Sequence, residues 1–169
     1  IIIAPGFGQR GMEGKFTALQ FAREHNVPCL GICMGMQTMC IEFARNVLGY
    51  DDANSTEIDP HTTHNVVDIM DEQKNILNLG GSMRLGAYKC KLKKGSKAYQ
   101  IYGKENISER HRHRFEFNNQ YKDEFENAGM ICSGLNEESD LVEIVELKNH
   151  KWFVGVQFHP EYSSTVVNP

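Results

Sequence analysis

The hydrophobic pattern of the first fifty residues predicts two strands that alternate with two helices. Residues 1–4 and 27–32 are short apolar runs typical of buried strands, whereas residues 15–25 and 34–47 place apolar side chains at helical spacing. Strands that alternate with helices in this order form parallel pairs joined by right-handed crossovers. The chain is therefore predicted to contain a doubly wound α/β sheet.

The pattern of the remaining chain is less regular and adds strands of both directions. Residues 49–63 are polar and acidic, as expected of a loop. Residues 120–127 are predicted to form a short helix that ends at Gly129. The predicted strands are 65–70, 87–92, 97–101, 130–135, 141–147 and 152–158, with a polar helical turn at 71–78. A tight turn links the last two strands as an antiparallel hairpin. The overall prediction is a mostly parallel α/β sheet flanked by helices, with an antiparallel hairpin near the C-terminus.

Composition narrows the class of protein. The 169 residues are 40% apolar and 24% charged, which predicts a single domain over residues 1–169. A net charge of −4 gives no reason to expect binding to nucleic acid or to an anionic membrane. Five cysteines without a C-x-x-C pair predict neither a disulfide framework nor a metal site, and favour a cytoplasmic setting. The apolar strand pattern at residue 1 suggests a fragment of a longer protein.

Cys33 stands where the second strand gives way to the second helix, in Gly31-Ile32-Cys33-Met34-Gly35. A strand that turns directly into a helix brings backbone segments close together, and glycine permits that approach. A thiol at a helix N-terminus is predicted to have a lowered pKa, which suits a nucleophile. The alternative is a buried structural cysteine, and this motif alone leaves both interpretations open.

His159-Pro160-Glu161 follows the last predicted strand and supplies the partners that a nucleophilic thiol needs. Residues two apart in an extended segment point to the same side, so Glu161 can orient the His159 imidazole as a base for Cys33. Backbone N–H groups of Met34 and of Gly6 are the predicted oxyanion hole. The predicted reaction is acyl transfer to the thiol followed by hydrolysis.

Three further features suggest a substrate site. Residues 5–14 contain four glycines and predict a loop, either a lid over a site or a plain surface loop, without a phosphate-binding motif. Arg110, Arg112 and Arg114 alternate with His111 and His113, so an extended segment gives an arginine face that can hold a carboxylate. The histidines are interpreted as core residues rather than metal ligands. Glu57 is either a partner for an amine or a surface charge.

These residues carry a resemblance to the class I glutamine amidotransferases, and in particular to the glutaminase domains of the CTP synthase family. The blocks that resemble that family are Gly6-Phe7-Gly8-Gln9-Arg10-Gly11, Gly31-Ile32-Cys33-Met34-Gly35-Met36-Gln37, Ile41-Glu42-Phe43-Ala44-Arg45-Asn46-Val47, Ala53-Asn54-Ser55-Thr56-Glu57, Met83-Arg84-Leu85-Gly86, Glu109-Arg110-His111-Arg112-His113-Arg114 and Phe153-Val154-Gly155-Val156-Gln157-Phe158-His159-Pro160-Glu161. One position departs from the family's usual Pro-Gly-Gly-Phe-Gly, since this chain has Ala4-Pro5-Gly6-Phe7-Gly8.

The resemblance implies hydrolysis of L-glutamine through a γ-glutamyl thioester on Cys33, with Gly6, Phe7, Gln37, Glu57 and Arg112 holding the substrate. It implies that Arg10, Gly11 and Glu13 belong to a lid loop through which GTP activates turnover. It further implies a synthetase domain in the same polypeptide, where ATP and magnesium serve the conversion of UTP to CTP, and a homotetramer. No cofactor is expected in this domain. The alternatives are a γ-glutamyl hydrolase of related fold and a non-catalytic interaction module.

Overall fold

The computed structural model describes residues 1–69 and 83–167, and there the chain forms a seven-stranded sheet, a three-stranded sheet and four helices. The elements in chain order are β1 (Ile2–Ile3), α1 (Met12–Glu24), β2 (Cys29–Ile32), α2 (Met34–Asn46), β3 (Asn54–Ser55), β4 (Asn65–Ile69), β5 (Arg84–Leu92), α3 (Lys97–Tyr102), β6 (Asn106–His113), β7 (Phe115–Phe117), α4 (Lys122–Ala128), β8 (Met130–Asn136), β9 (Leu141–Leu147) and β10 (Phe153–Val156), with 3₁₀ turns at Asn119–Tyr121 and Pro160–Tyr162. The helical turn predicted at 71–78 lies outside the described residues.

The large sheet has the strand order β1-β2-β10-β9-β8-β5-β6, and the small sheet the order β3-β4-β7. The α/β class is confirmed, as is the antiparallel hairpin of β9 and β10. The prediction of a mostly parallel sheet is wrong for the described strands. In the large sheet β1–β2 and β2–β10 pair in parallel, whereas the β10–β9, β9–β8, β8–β5 and β5–β6 pairs are antiparallel.

The helices α1 and α2 cover the parallel end of the large sheet. Leu19 and Ala22 of α1 and Met36 and Met39 of α2 are fully buried in a core that extends to Phe125 of α4. A second apolar cluster forms around Leu92, Ala98, Ile144 and Phe158. Apolar packing on these elements therefore holds the strand ends in fixed positions.

Two glycines allow β2 and α2 to meet at the predicted turn. A Cβ on Gly31 would lie 2.6 Å from the backbone carbon of Gly35, and a Cβ on Gly35 would lie 2.2 Å from the carbonyl oxygen of Ile3. Real Cβ atoms do not approach backbone atoms so closely. The close approach predicted from the glycine spacing is confirmed, and it extends to the neighbouring strand β1.

The prediction of a strand at 97–101 is wrong, since Lys97–Tyr102 is the helix α3. The Ser96 hydroxyl accepts a hydrogen bond from the N–H of Tyr99, and Gly103 ends the helix in the left-handed region at φ 65°. The Glu146 carboxylate of β9 also accepts from the N–H groups of Lys97 and Ala98, at 2.8 and 2.9 Å. Capping from a distant strand therefore overrides the strand propensity of the segment.

The predicted alternation of arginines and histidines over residues 110–114 is confirmed, and Arg114 is exposed like Arg110 and Arg112. In β6 the side chains of Glu109, His111 and His113 are buried and those of Arg110 and Arg112 are exposed. The chain then changes sheets at Arg114, and β7 pairs with β4 rather than with β5. The alternation of buried and exposed side chains is interrupted after this point, and Glu116 and Phe117 are both buried.

Both ends of α1 and β1 differ from the predicted bounds. The helix α1 begins at Met12 rather than at residue 15, so Glu13 and Gly14 belong to its first turn and not to the preceding loop. Of the first strand, Ile3 is buried whereas Ile2 is exposed, because β1 lies at the sheet edge and only one of its faces packs against the core.

Candidate active site

The segments that carry the predicted catalytic residues follow three parallel strands and lie at one edge of the large sheet. In register, Ile3 pairs with Gly31, and Gly31 pairs with Gly155, so the ends of β1, β2 and β10 lie side by side. The glycine-rich loop follows β1, Cys33 follows β2, and the segment that carries His159 follows β10. The carboxyl ends of parallel strands are the usual place for a site in such sheets.

Cys33 has a backbone conformation that few residues adopt, with φ 54° and ψ −109°. Its N–H donates to the carbonyl oxygen of Val156 at 2.7 Å, and its side chain is 3% exposed. The thiol donates to the carbonyl oxygen of Arg112 at 3.8 Å. A non-glycine residue held in such a conformation is typical of a functional turn, because surrounding contacts must impose it.

The prediction of a lowered thiol pKa is wrong for this state of the molecule. Burial raises the pKa of Cys33 to about 12, and the carboxylates of Glu116, Glu161 and Glu57 raise it further. A hydrogen bond from the N–H of Met34 acts in the opposite direction, as expected at a helix N-terminus, but it is smaller than the effect of burial. Cys33 is therefore a neutral thiol that must lose its proton to a base during any reaction.

His159 has the contacts of an oriented base. Its Nδ1 lies 2.7 Å from Oε1 of Glu161, and its ring stacks on the ring of Tyr162 with centroids 4.9 Å apart. The backbone N–H of His159 donates to the carbonyl oxygen of Arg110 at 2.8 Å. Nε2 is buried without a hydrogen-bond partner within residues 1–69 and 83–167. A proton on Nδ1 toward Glu161 leaves the Nε2 lone pair free to accept one.

Two cavities meet at Cys33. The larger, of about 550 Å³, is lined by Gly6, Phe7, Cys33, Gln37, Thr56, Glu57, Met83, Arg112, His113, Arg114 and Phe115. The smaller, of about 220 Å³, is lined by Pro5, Gly6, Phe7, Cys33, Arg112, His159, Glu161 and Tyr162. The structure therefore brings together every predicted catalytic and substrate-binding residue except Met34, which follows Cys33 directly.

The predicted substrate-binding residues have distinct supports. The amide nitrogen of Gln37 donates to the carbonyl oxygen of Phe115 at 2.8 Å and to Oε1 of Gln157 at 3.2 Å, which fixes the orientation of the side chain. The ring of Phe7 is 57% exposed at the cavity mouth, and the guanidinium of Arg112 lies 5.9 Å from its centroid. Glu57 adds a carboxylate to the wall of the larger cavity.

The predicted lid residues lie outside both cavities. Arg10 and Gly11 are exposed, and Gly11 has φ 76° where the loop enters α1. The carboxylate of Glu13 is exposed and lies 3.9 Å from the guanidinium of Arg45. Their assignment to an activator loop stays a prediction.

The sequence did not predict Thr56, Met83 and Tyr162 as lining residues, although each neighbours a residue or motif that it singled out. It also missed a buried charged cluster beside the site, in which Nη1 of Arg84 lies 2.8 Å from Glu143 and 3.5 Å from Glu116. Only a three-dimensional arrangement joins these residues, because they come from β5, β7 and β9.

His111 and His113 join this cluster as neutral side chains. Nδ1 of His111 lies 2.8 Å from Nε2 of His113, and Nδ1 of His113 lies 3.3 Å from Glu116. Burial lowers the pKa of His111 to about 2 and that of His113 to about 3, and it raises the pKa of Glu116 well above its ordinary value. The interpretation of both histidines as buried, hydrogen-bonded core residues is confirmed.

No helix within the described ranges has both the length and the apolar character that crossing a membrane requires.

Cys33 at the turn between β2 and α2 and the His159–Glu161 pair after β10 lie at the same edge of the large sheet, which is the arrangement that the sequence predicts for a cysteine nucleophile and its base. The model of the family described as glutamine amidotransferase class-I matches residues 1–169. The chain therefore belongs to the class I glutamine amidotransferases.

Comparison with individual proteins narrows this class. The chain is 66% identical over 169 residues to the CTP synthase of Bacteroides fragilis and 59% identical over 169 residues to that of Flavobacterium johnsoniae. All of the chain is covered in both comparisons, but it spans only 32% of either relative.

Solved structures agree on the fold. The glutaminase domain of Trypanosoma brucei CTP synthase, which has bound acivicin, matches with a TM-score of 0.94 and 41% identity, over 100% of this chain and 66% of that one. A glutamine amidotransferase from Thermotoga maritima matches with a TM-score of 0.60 and 16% identity, over 95% of this chain and 55% of that one. The second likeness concerns the fold alone.

Proposed function

We propose that this chain is the glutaminase part of a CTP synthase and hydrolyses L-glutamine to glutamate and ammonia. The observation that carries the proposal is the larger cavity, which joins Cys33 to Glu57 and to the guanidinium groups of Arg112 and Arg114. The 66% identity to CTP synthases over the whole chain supports the choice of substrate.

The two ends of the cavity suit the two ends of glutamine. The carboxamide lies at Cys33, which borders both cavities, while Glu57 accepts from the α-ammonium group and an arginine holds the α-carboxylate. Arg112 is the residue that the family resemblance implies. Arg114 is the second candidate for holding the α-carboxylate, because it lines the larger cavity together with Glu57 and does not line the smaller one.

The first chemical step forms a thioester. Sγ of Cys33 attacks the amide carbon as its proton passes to Nε2 of His159, and Glu161 stabilises the resulting imidazolium. The N–H groups of Met34 and Gly6 stabilise the oxyanion of the tetrahedral intermediate. His159 then returns the proton to the leaving nitrogen, so that ammonia departs as the C–N bond breaks.

The second step regenerates the thiol. His159 accepts a proton from a water molecule whose oxygen attacks the thioester carbon, and the C–S bond breaks as glutamate forms. The sulfur leaves as a thiolate and recovers its proton from the His159 imidazolium. Because burial raises the pKa of the free thiol, the first step includes the transfer of its proton to His159.

The proposal also extends to the two-thirds of the CTP synthase relatives that the chain does not span. There, a synthetase part would receive the ammonia and use ATP and magnesium to convert UTP to CTP. GTP activation through Arg10, Gly11 and Glu13, assembly as a homotetramer and a cytoplasmic setting complete the proposal.

The test uses the full-length protein with either glutamine or ammonium chloride as the nitrogen source. Cys33→Ala is expected to abolish glutamine hydrolysis and glutamine-dependent CTP formation, while ammonium-dependent CTP formation is retained. Retained glutamine hydrolysis would exclude Cys33 as the nucleophile, and a preference for γ-glutamyl peptides over free glutamine would indicate a hydrolase of related fold instead.

A paired substitution separates the two arginines. Loss of the guanidinium that holds the α-carboxylate should raise KM for glutamine by about 10–100-fold, since a charge-assisted hydrogen bond contributes about 1.5–3 kcal/mol. Arg112→Lys and Arg114→Lys, measured side by side for KM and kcat, identify that residue. Equal and small effects in both variants would refute a role for either.

A further inference from the structure

Lys15 lies close to Met34 and Gly6, the two residues whose N–H groups are the predicted oxyanion donors. It lies in the first turn of α1, where its N–H donates to the carbonyl oxygen of Gly11 at 3.2 Å. Its Nζ lies 3.5 Å from Sδ of Met34, and a Cβ built on Gly6 would lie 3.9 Å from the same Nζ. The ammonium group therefore lies between the turn that carries Cys33 and the loop that carries Gly6.

This ammonium group has an unusual set of partners for a lysine that is partly buried. Within residues 1–69 and 83–167 no carboxylate lies within ion-pair distance of it, and its hydrogen bond goes to a thioether, which is a weak acceptor. Burial lowers the pKa of Lys15, whereas negative charge on Cys33 raises it. The ammonium group therefore contacts the residues of the predicted oxyanion hole rather than a carboxylate partner.

The charges around Cys33 show what such a cation would do. Negative charge on the sulfur is opposed by Glu116, Glu161 and Glu57, in decreasing order. The titratable and charged side chains that face the Cys33 thiol across the cavities or through its turn are those of Lys15, Glu57, Arg112, His113, Arg114, Glu116, His159, Glu161 and Tyr162. Since Glu161 and Glu57 oppose negative charge on the sulfur, a nearby cation such as Lys15 favours the thiolate and an oxyanion.

We propose that Lys15 is a positioning residue of the active site, whose ammonium group supports the Met34 turn and favours negative charge on Cys33 Sγ and on the reaction's oxyanion. The inference rests on the proposed glutaminase function for the oxyanion, but its effect on the thiol stands independently of the substrate. It also links α1, and through it the glycine-rich loop, to the reactivity of the nucleophile.

The test measures the reactivity of Cys33 and the turnover of glutamine in the full-length protein. Lys15→Met keeps the length and apolar contact of the side chain but removes the charge, Lys15→Gln is a second neutral variant, and Lys15→Arg keeps the charge. Lys104→Met is the control, because Lys104 is exposed and lines neither cavity. Alkylation by iodoacetamide is followed by mass spectrometry at Cys33 from pH 7 to 9, without glutamine.

Both neutral variants are expected to shift the alkylation profile by about one unit to higher pH, which is about a tenfold lower rate at a fixed pH. They are expected to lower kcat for glutamine about tenfold with less than a twofold change in KM, and Lys15→Arg to restore most of both. A purely structural role predicts no shift of the pH profile in folded protein. That result, or equal impairment in Lys15→Arg, would overturn the inference.

The same measurements separate this inference from the proposed function. If the alkylation profile shifts but the unmodified protein does not hydrolyse glutamine, the effect of Lys15 on the thiol stands and the proposed function fails. If glutamine is hydrolysed and the profile does not shift in either neutral variant, the proposed function stands and the inference about Lys15 fails.

Discussion

Gly35→Ala is the perturbation that most directly tests how the active site is built. The added methyl group would lie 2.2 Å from the carbonyl oxygen of Ile3 and 3.1 Å from its carbonyl carbon, whereas ordinary contact begins at 3.4 Å. Relief requires α2 to move by about 1 Å away from β1, because the obstructing atoms belong to the backbone and have no alternative rotamer.

The expected loss of stability combines two opposing terms. Overpacking of this kind costs about 3 kcal/mol, while replacing a helical glycine by alanine contributes up to about 1 kcal/mol in the other direction. The net loss of about 2 kcal/mol corresponds to a melting temperature lower by about 4–8 °C for a domain of this size. Because α2 carries Met34 and follows Cys33, a displacement near 1 Å should also lower kcat by about 100-fold.

Gly14→Ala is the matched control for this experiment. Gly14 lies in α1 without a positive φ, and a Cβ there would meet nothing within 4 Å. This variant should keep or slightly raise the melting temperature, by the helix term alone. Calorimetry and the glutaminase rate are measured on both variants, and a Gly35→Ala protein as stable and active as the control would refute the steric account of the turn.

Three further predictions follow from single contacts. Glu161→Gln should lower kcat for glutamine by about 10²–10⁴-fold, because an amide cannot stabilise the His159 imidazolium, while Tyr162→Phe should change it little; equal effects would contradict the assigned role. The rate of Cys33 alkylation in the unmodified protein should rise about tenfold per pH unit from pH 7 to 9. The raised pKa keeps the thiol protonated at neutral pH, so its thiolate fraction grows with pH, and a plateau of the rate near pH 7 would show a lowered pKa instead. Ser96→Ala should lower the free energy of unfolding by about 1 kcal/mol and leave the glutaminase rate unchanged, because Ser96 caps α3 and lines neither catalytic cavity; a loss of activity at unchanged stability would contradict this.

The residues of the site were predictable where a local motif carries the geometry. Gly31 and Gly35 predict the close approach of β2 and α2. The spacing of His159 and Glu161 places both side chains on one side of an extended segment. The cavity then brings Gln37 and Glu57 to Cys33, as the family resemblance implied. Their catalytic and binding roles stay predictions until they are measured.

The errors arose where distant residues decide the outcome. The helix α3 is capped by the Glu146 carboxylate, which is nearly fifty residues away, as well as by the neighbouring Ser96 and Gly103. The thiol pKa of Cys33 depends on burial under residues from several strands, which outweighs the helix N-terminus that the sequence does announce. The cluster of Arg84, Glu116 and Glu143 escaped notice for the same reason.

Ile3, Gly31 and Gly155 pair side by side on three neighbouring strands, and this pairing fixes the position of the catalytic segments that follow them. Neighbouring strands are spaced about 4.8 Å apart by their hydrogen bonds, so the distances among the nucleophile, its base and the oxyanion donors are properties of the sheet itself. Thr56, Glu57 and Phe115, by contrast, border or belong to the separate small sheet. Redesign for a different amide substrate should therefore confine its substitutions to the small sheet and leave β1, β2 and β10 intact.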